Sequence, residues 1–417
     1  MNSADRQCRS RLWLDAARSV RIERALSKRP SLPAPHLAPT SCAVLYFDHN
    51  ATHPISETAK RAWLEAVEKF PANPSSPHRL GQRAEAALQD ARSRLAAILG
   101  CGADQIVFTS GATESANTVL AQFEDVLASA IEHPCVLEPL HFGTGKSAGV
   151  SSGKRASRLL PSAAAGMAEP LLFAGNKPQL VALMAANNET GVLQPWREAL
   201  AACHANGVPM FCDAAQWIGR LPGAGLGECD FISGCAHKFG GPQGVGFLKC
   251  PANFPALLRG GPQEDGRRAG TENMAGVLAM IAVIEEREAT IRGGALGERL
   301  AWRAEFESGF VASLPGARVL GAGVERLWNT VSVIMPEVPD CRRRWVVVMD
   351  KLGFAVSTGS ACASGKEKPS HVLTAMGVSA PDAGRALRFS AGWDTTCEDW
   401  RVLLEGVRAA AREMGGR

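Results

Sequence analysis

The reactive chemistry of this sequence is concentrated in a few side chains at the ends of apolar runs. Lys238 stands just after the run Phe231–Cys235 and before a loop holding Gly240, Gly241, Gly244 and Gly246. A lysine placed there has a rigid support beside backbone that approaches a ligand closely, and burial lowers its pKa toward a usable neutral amine. That is the requirement for Schiff-base chemistry on a carbonyl such as pyridoxal phosphate. Asp213 closes the run Val208–Cys212. Alone it is equally well a helix N-cap, but beside such a lysine it becomes the partner that keeps a pyridine nitrogen protonated. Ser110–Asn117, SGATESAN, turns a strand into a helix whose first amides lack partners and so form a phosphate cradle. Cys362, in STGSACASGKEKPSHVL, is a mobile nucleophile if a charge or base promotes its thiolate, and otherwise an incidental surface thiol. Arg388 in ALRFSAG, on a predicted strand, suits a two-point contact with a carboxylate.

The elements that must position these groups alternate along the chain. A short strand at Val44–Phe47 leads through DHNATHP to a helix capped by Ser56, whose apolar face is predicted as Ala59, Trp63, Val67 and Phe70. A second helix, Gln82–Leu99, is closed by Gly100. Apolar runs at Gln105–Thr109, Leu180–Ala186, Val208–Cys212 and Phe231–Cys235 alternate with helical stretches, among them Trp196–Ala205. This pattern predicts a mostly parallel sheet covered on both faces, with ligands beyond the carboxyl ends of its strands. Thr109–Gly111, Asn187, Asn188, Asp213 and Lys238 all fall at those ends. Residues 141–170 read as loop. A long helix reaches about Arg292, and a second block of alternating character contains Val331–Met335 and Trp345–Met349.

Composition narrows the function classes. With 417 residues and 46% hydrophobic content the chain can bury a large core. Its net charge of +4 comes from residues 1–40, which carry +5, leaving a body near −1 that gives no support to nucleic-acid binding. No run of about 18 apolar residues is present, so no membrane span is expected. The 12 cysteines form no CxxC pair and no zinc-like cluster, so no resident metal is expected, and many sit in apolar runs, which suggests a reducing cytoplasm. Residues 1–40, Arg-rich and ending in SLPAPHLAPT, read as a disordered or extended N-terminal segment.

Taken together, the motifs resemble the cysteine desulfurases, pyridoxal phosphate enzymes of the class V aminotransferase group with fold-type I architecture. The similarity runs from Tyr46 to Trp393 through YFDHNATHP, NPSSPHRLGQ, IVFTSGATESAN, the EH of IEHP, NNETGV, CDAAQ, AHKFGGPQGVG, RRAGTEN, STGSACAS and LRFSAG, in one order. The resemblance implies a large cofactor-binding α/β domain over 54–292. It also implies a smaller α+β C-terminal domain, 41–53 plus 293–417, carrying the cysteine loop. It implies that Lys238 holds the cofactor, Asp213 pairs with its pyridinium nitrogen, His133 stacks on its ring, and Gln216 and Asn188 lie near its phenolic oxygen. Ala112, Thr113, His237 and Cys235 fall at the phosphate, and Thr271 reaches the phosphate of the second subunit of a homodimer. Arg388, with Asn188, takes the substrate carboxylate, and Cys362 attacks the sulfur of L-cysteine. The products are L-alanine and a persulfide handed to an acceptor protein, for instance an iron-sulfur scaffold, where Cys362 would meet the cluster. A selenocysteine lyase, or another class V aminotransferase acting on a small amino acid, is the alternative. Two departures matter: Cys235 replaces a serine that many relatives use on the phosphate, and the chain ends about 25 residues after Gly392, without the longer tail of some relatives. The loop from Ala363 to Lys368 resembles the long form that carries a persulfide outward.

Overall fold

Successive side chains of a strand point to opposite faces, so a sheet covered on both sides needs apolar residues at every position. The central strands meet that demand. The computed structural model describes residues 44–142, 156–160, 177–338, 341–359 and 370–415. Its first part comprises β1 (Leu45–Tyr46), α1 (Glu57–Lys69), α2 (Arg79–Leu99), β2 (Ile106–Thr109), α3 (Ala112–Leu120), β3 (Asp125–Ser129), α4 (Pro134–Phe142), β4 (Ala156–Leu160), β5 (Leu180–Ala182), α5 (Trp196–Ala205), β6 (Met210–Asp213), β7 (Phe231–Cys235), β8 (Gly246–Lys249) and α6 (Met274–Arg292). There follow α7 (Leu296–Ser313), β9 (Arg318–Val319), β10 (Thr330–Ile334), α8 (Cys341–Lys351), β11 (Phe354–Ala355), α9 (His371–Ala375), α10 (Ala380–Ala383), β12 (Ala386–Ser390) and α11 (Cys397–Gly415).

Seven strands form the main sheet in the order β2-β8-β7-β6-β5-β3-β4, parallel except for β8, which runs against both neighbours. Phe108, Leu127, Val181, Cys212, Ile232 and Phe247 face a core built with α2, α5 and α6. Their neighbours Val107, Val126, Leu180, Phe211, Phe231 and Leu248 face a second core with α3 and α4. This is the mostly parallel, doubly covered α/β sheet expected of the fold. A three-stranded antiparallel sheet, β12-β10-β9, lies with α7, α8 and α11 around a separate apolar cluster that includes Phe47, Phe310, Trp345 and Phe389. Parallel β1 and β11 make a third, two-stranded sheet.

Four local readings change. On α1 the buried face is Ala59 and Ala66, while Trp63 and Val67 are 39% and 55% exposed. The helix lies against α6, and small residues allow that close approach while larger ones are turned outward. Asp125–Ser129 is a strand not anticipated, and Ala156–Leu160, read as loop, is the edge strand beside it. Trp345–Met349 is helical: Trp345, Val348 and Met349 are buried and Val347 exposed, a three-and-four spacing rather than an alternation. Among the described residues no helix is long and apolar enough to cross a membrane.

A buried ion pair fastens the loop before α6 to the sheet. Arg92 of α2 donates to both oxygens of Glu264 at 2.7 and 3.0 Å, and the Phe108 amide donates to the same carboxylate at 2.9 Å. Glu264 and the following Asp265 take left-handed backbone, at φ 50° and 56°, to bring that carboxylate inward. Glu264→Gln leaves the Arg92 cation buried without its counter-ion, and we expect it to lower unfolding stability by about 3 kcal/mol, read as a lower urea midpoint with unchanged slope.

Candidate active site

The parallel strands β5, β6 and β7 all end at one edge of the sheet, and β2 ends there too because antiparallel β8 pairs its first residue, Gly246, with both Thr109 and Cys235. Gly246 has no room for a side chain, since a Cβ there would lie 2.4 Å from the Gly234 carbonyl and 2.6 Å from the Gly111 Cα. This close approach sets the N-terminus of α3 beside the end of β7. Between them opens a cavity of about 540 Å³. Ala112, Thr113, His133, Asn188, Asp213, Gln216, Cys235, His237 and Lys238 line it. Thr271 and Arg388 do not, and Cys362 lies outside the described residues.

Lys238 follows β7 on a single tight turn, Ala236–Lys238. Its Nζ donates to the carbonyls of Asn50 and Ala51, both at 2.8 Å. Burial lowers its pKa to about 8, and the guanidinium charges of Arg220 and Arg388 act in the same direction. The DHNATHP segment is thus the cradle of the amine: the His53 amide donates to the His237 carbonyl at 2.7 Å, and the Gln216 Nε2 donates to the Asn50 carbonyl at 3.0 Å.

Asp213, at the end of β6, is 6% exposed. Its Oδ1 accepts from the Ser233 hydroxyl and the Ala215 amide, both at 3.0 Å. The turn-capping and site-facing readings of this carboxylate therefore coexist: one oxygen caps, and the residue lines the cavity. Gln216 has its Oε1 buried with no hydrogen-bond partner among the described residues, an acceptor open to a donor. His133 accepts the Cys135 amide on Nδ1 at 3.1 Å, and burial lowers its pKa.

No side chain caps the N-terminus of α3 at Gly111. Cys235 lies beside it, and burial pushes that thiol up to about 11, so it stays neutral. Glu114, which also lines the cavity, accepts from the Ser110 amide at 2.8 Å and from Arg268 Nε at 2.9 Å. His237, lowered to about 4 chiefly by burial, faces the Thr52 hydroxyl at 3.2 Å. The first-turn amides of a helix suit an anion.

Arg388 on β12 is fully buried beside the cavity. Its Nη1 donates to the Asn188 carbonyl at 2.8 Å and the Gly359 carbonyl at 3.2 Å, and its Nη2 to Asp48 Oδ1 at 2.5 Å. The residues on either side of the segment holding Cys362 are tied to the same neighbourhood. Besides the Gly359 contact, Ser370 Oγ donates to Glu189 Oε2 at 2.6 Å, and His371 Nε2 lies 2.9 Å from the Glu132 carbonyl. Thr271 is exposed in the loop before α6.

Several participants escaped the sequence reading. Ser233 holds Asp213, and its signal was a polar residue at an inward position of the apolar run Phe231–Cys235. Asn50 and Ala51 act through backbone carbonyls, which residue type does not reveal. Arg220, buried and lowered to about 9 by burial, donates to the Gln216 and His49 carbonyls.

An amine whose folded pKa is below its unfolded value binds fewer protons when folded across the interval between the two. Stability therefore rises with pH from about 8 toward the ordinary lysine range, and the buried charge weighs fully below pH 8. In cofactor-free protein we expect acylation of Lys238 to reach half its limiting rate near pH 8, roughly two units before surface lysines, as a peptide-resolved mass-spectrometric pH profile will show.

The comparisons with known proteins agree with this geometry. The family model for class V aminotransferases matches residues 45–403. A cysteine desulfurase of Klebsiella pneumoniae is 36% identical over 360 residues, covering 83% of this chain and 87% of the relative. The cysteine desulfurase NifS of Azotobacter vinelandii is 34% identical over 378 residues, covering 87% and 92%. Among solved structures, a NifS-like protein superposes with a TM-score of 0.79 at 28% identity, covering 89% of this chain and 100% of the other. The sheet order, the strand-end cavity and these likenesses over most of the chain lead to one assignment: the chain belongs to the class V aminotransferases and, within them, to the cysteine desulfurase family.

Proposed function

We propose that this protein is a cysteine desulfurase, converting L-cysteine to L-alanine and passing the sulfur on as a persulfide. The observation that carries the reading is the convergence, in one cavity, of a half-buried amine with a lowered pKa, a hydrogen-bonded carboxylate and a helix N-terminus with no side-chain cap among the described residues. The family is pyridoxal-phosphate-dependent, and the residues present fit that group. The volume suits it, the α3 amides would meet its phosphate, and Gln216 Oε1 lacks, among the described residues, a donor such as its ring substituents would offer.

Lys238 would hold the cofactor, Asp213 its ring nitrogen and His133 its ring face, with Ala112, Thr113, His237 and Cys235 around the phosphate. When bound, pyridoxal phosphate supplies an electron sink for carbanion chemistry at the substrate's α-carbon. Lys238, with an amine that titrates near neutrality, takes the α-proton on Nζ and returns it; the Asn50 and Ala51 carbonyls aim that nitrogen. The Ser233 hydroxyl and the Ala215 amide orient Asp213 toward the ring nitrogen's place. Asn188 and Arg388 receive the substrate carboxylate. Cys362 attacks the substrate sulfur: the new S–S bond forms as the carbon–sulfur bond breaks, its electron pair staying with the carbon skeleton that departs as L-alanine. The anchoring of Gly359 and Ser370 beside Asn188 and Glu189 supports Cys362 in this role. A second protein, such as an iron-sulfur scaffold, would take the persulfide, and Thr271 would complete the phosphate site of a partner subunit in a homodimer.

Purified protein loaded with pyridoxal phosphate is expected to release alanine and, with a thiol reductant, sulfide in equal amounts from L-cysteine. Cys362→Ser should retain the cofactor absorbance and lose alanine formation; unchanged turnover would remove Cys362 from the mechanism. Lys238→Ala should abolish borohydride-trapped cofactor, and label on another lysine would reject Lys238. Because a thiol is a weaker hydrogen-bond partner than a hydroxyl, Cys235→Ser should slow cofactor release during dialysis by a few-fold, measured by residual absorbance.

A further inference from the structure

The two-pronged edge of a guanidinium, Nε with Nη2, is shaped for both oxygens of one carboxylate. In Arg388 that edge is only half used. Nη2 donates to Asp48 Oδ1 at 2.5 Å, while Nε is buried with no partner among the described residues. The remaining contacts, from Nη1 to the Asn188 and Gly359 carbonyls, fix the guanidinium from its other side. A buried N–H without an acceptor is costly, and it persists here next to a carboxylate that reaches with one oxygen. The two residues differ in freedom: the Arg388 side chain is 1% exposed, the Asp48 side chain 23%. The arginine is fixed, and its acidic partner has a way out to water.

We propose that Asp48 is an internal placeholder for the substrate's α-carboxylate: it neutralises Arg388 in the resting protein and is displaced when an amino acid binds. This rests on the reading of Arg388 as the carboxylate-binding residue. The incoming carboxylate takes both Nε and Nη2, supplying the acceptor that Nε lacks. Asp48 cannot remain in its present contact with Nη2, because two carboxylates would then share one donor edge and repel each other in a poorly solvated space. Released, it turns to solvent. The exchange replaces one ion pair by another, so the buried guanidinium is never without a counter-ion, which would be strongly destabilising. It also imposes selection. An amine without a carboxylate finds Arg388 already occupied and has nothing with which to dislodge Asp48, so the site rejects decarboxylated analogues of its substrate.

The test uses the cofactor-loaded protein, with L-alanine as a probe that carries the α-carboxylate and ethylamine as one that does not, both read from the cofactor's absorbance change. In Asp48→Asn the competitor's charge is gone, and L-alanine should bind roughly fivefold to tenfold tighter, the scale of one charged hydrogen bond, while ethylamine is unaffected. KM for L-cysteine should fall with kcat little changed, a split that loss of mere structural support does not produce. Unchanged or weaker L-alanine binding overturns the proposal, as does equal tightening for ethylamine. Arg388→Gln tests the underlying reading separately. If it leaves L-alanine affinity intact, Arg388 is not the carboxylate site; if it weakens L-alanine while Asp48→Asn fails to tighten it, only the placeholder role falls. Should Asp48→Asn not fold, a crystal structure of the wild-type holoenzyme with L-alanine decides. Asp48 turned away with the ligand carboxylate on Nε and Nη2 supports the exchange, and Asp48 still on Nη2 refutes it.

Discussion

An ammonium removed from water must either find acceptors or give up its proton, and the environment of Lys238 is built around that constraint. Two peptide carbonyls, from Asn50 and Ala51, give it acceptors without an opposing full charge. Carbonyl dipoles steady the nitrogen yet stabilise its charge less than a carboxylate at the same distance would, so the proton is held loosely. The rest follows from the need to keep those carbonyls in place. The segment from Asp48 to Pro54 is pinned by the Ser390 hydroxyl to the Asn50 amide, by Thr330 to the Asn50 side chain, and by the His237 carbonyl to the His53 amide. Ser390 and Thr330 lie on the three-stranded sheet and His237 at the end of the seven-stranded one, so both sheets meet at this short segment.

The charges around the cavity follow a related logic. Arg220 and Arg388 are buried and Lys238 is half-buried, a positive charge set against the carboxylates of Asp213, Asp48 and Glu114. Histidines would add to it if they protonated, and burial prevents this: His49 is lowered to about 3, His53 to about 4 and His237 to about 4. The imidazoles therefore act as neutral donors and acceptors over the physiological range, and the field at the site changes little with pH until the lysine itself titrates.

Much of this arrangement was legible beforehand because it depends on where strands end. Lys238, Asp213 and the SGATESAN turn could be placed together from apolar runs alone, since parallel strands share an orientation and their carboxyl ends share an edge. Contacts between distant segments were not legible. Asp48 and Arg388 are 340 residues apart, and neither residue type nor spacing announces the pair. The helical spacing of Ala59, Trp63, Val67 and Phe70 predicts one inward apolar face, whereas the packing of α1 on α6 buries the small Ala59 and Ala66 and leaves Trp63 and Val67 exposed. The strand Ala156–Leu160 was missed because its flanks are rich in Gly and Ser, and an edge position asks less hydrophobicity of it than the central strands require.

The antiparallel strand β8 has one more effect. Among the described strands β2 pairs with β8 alone, so the strand that leads into α3 has no place to dock until a segment far downstream has been made. On a ribosome, the amino-terminal portion of that helix therefore emerges long before its surroundings can assemble, and the pairing that seats it is a late, long-range closure of the kind that slows folding. A chain truncated before Gly246 would retain the parallel strands β3 to β7 yet leave β2 without the neighbour it has among the described strands.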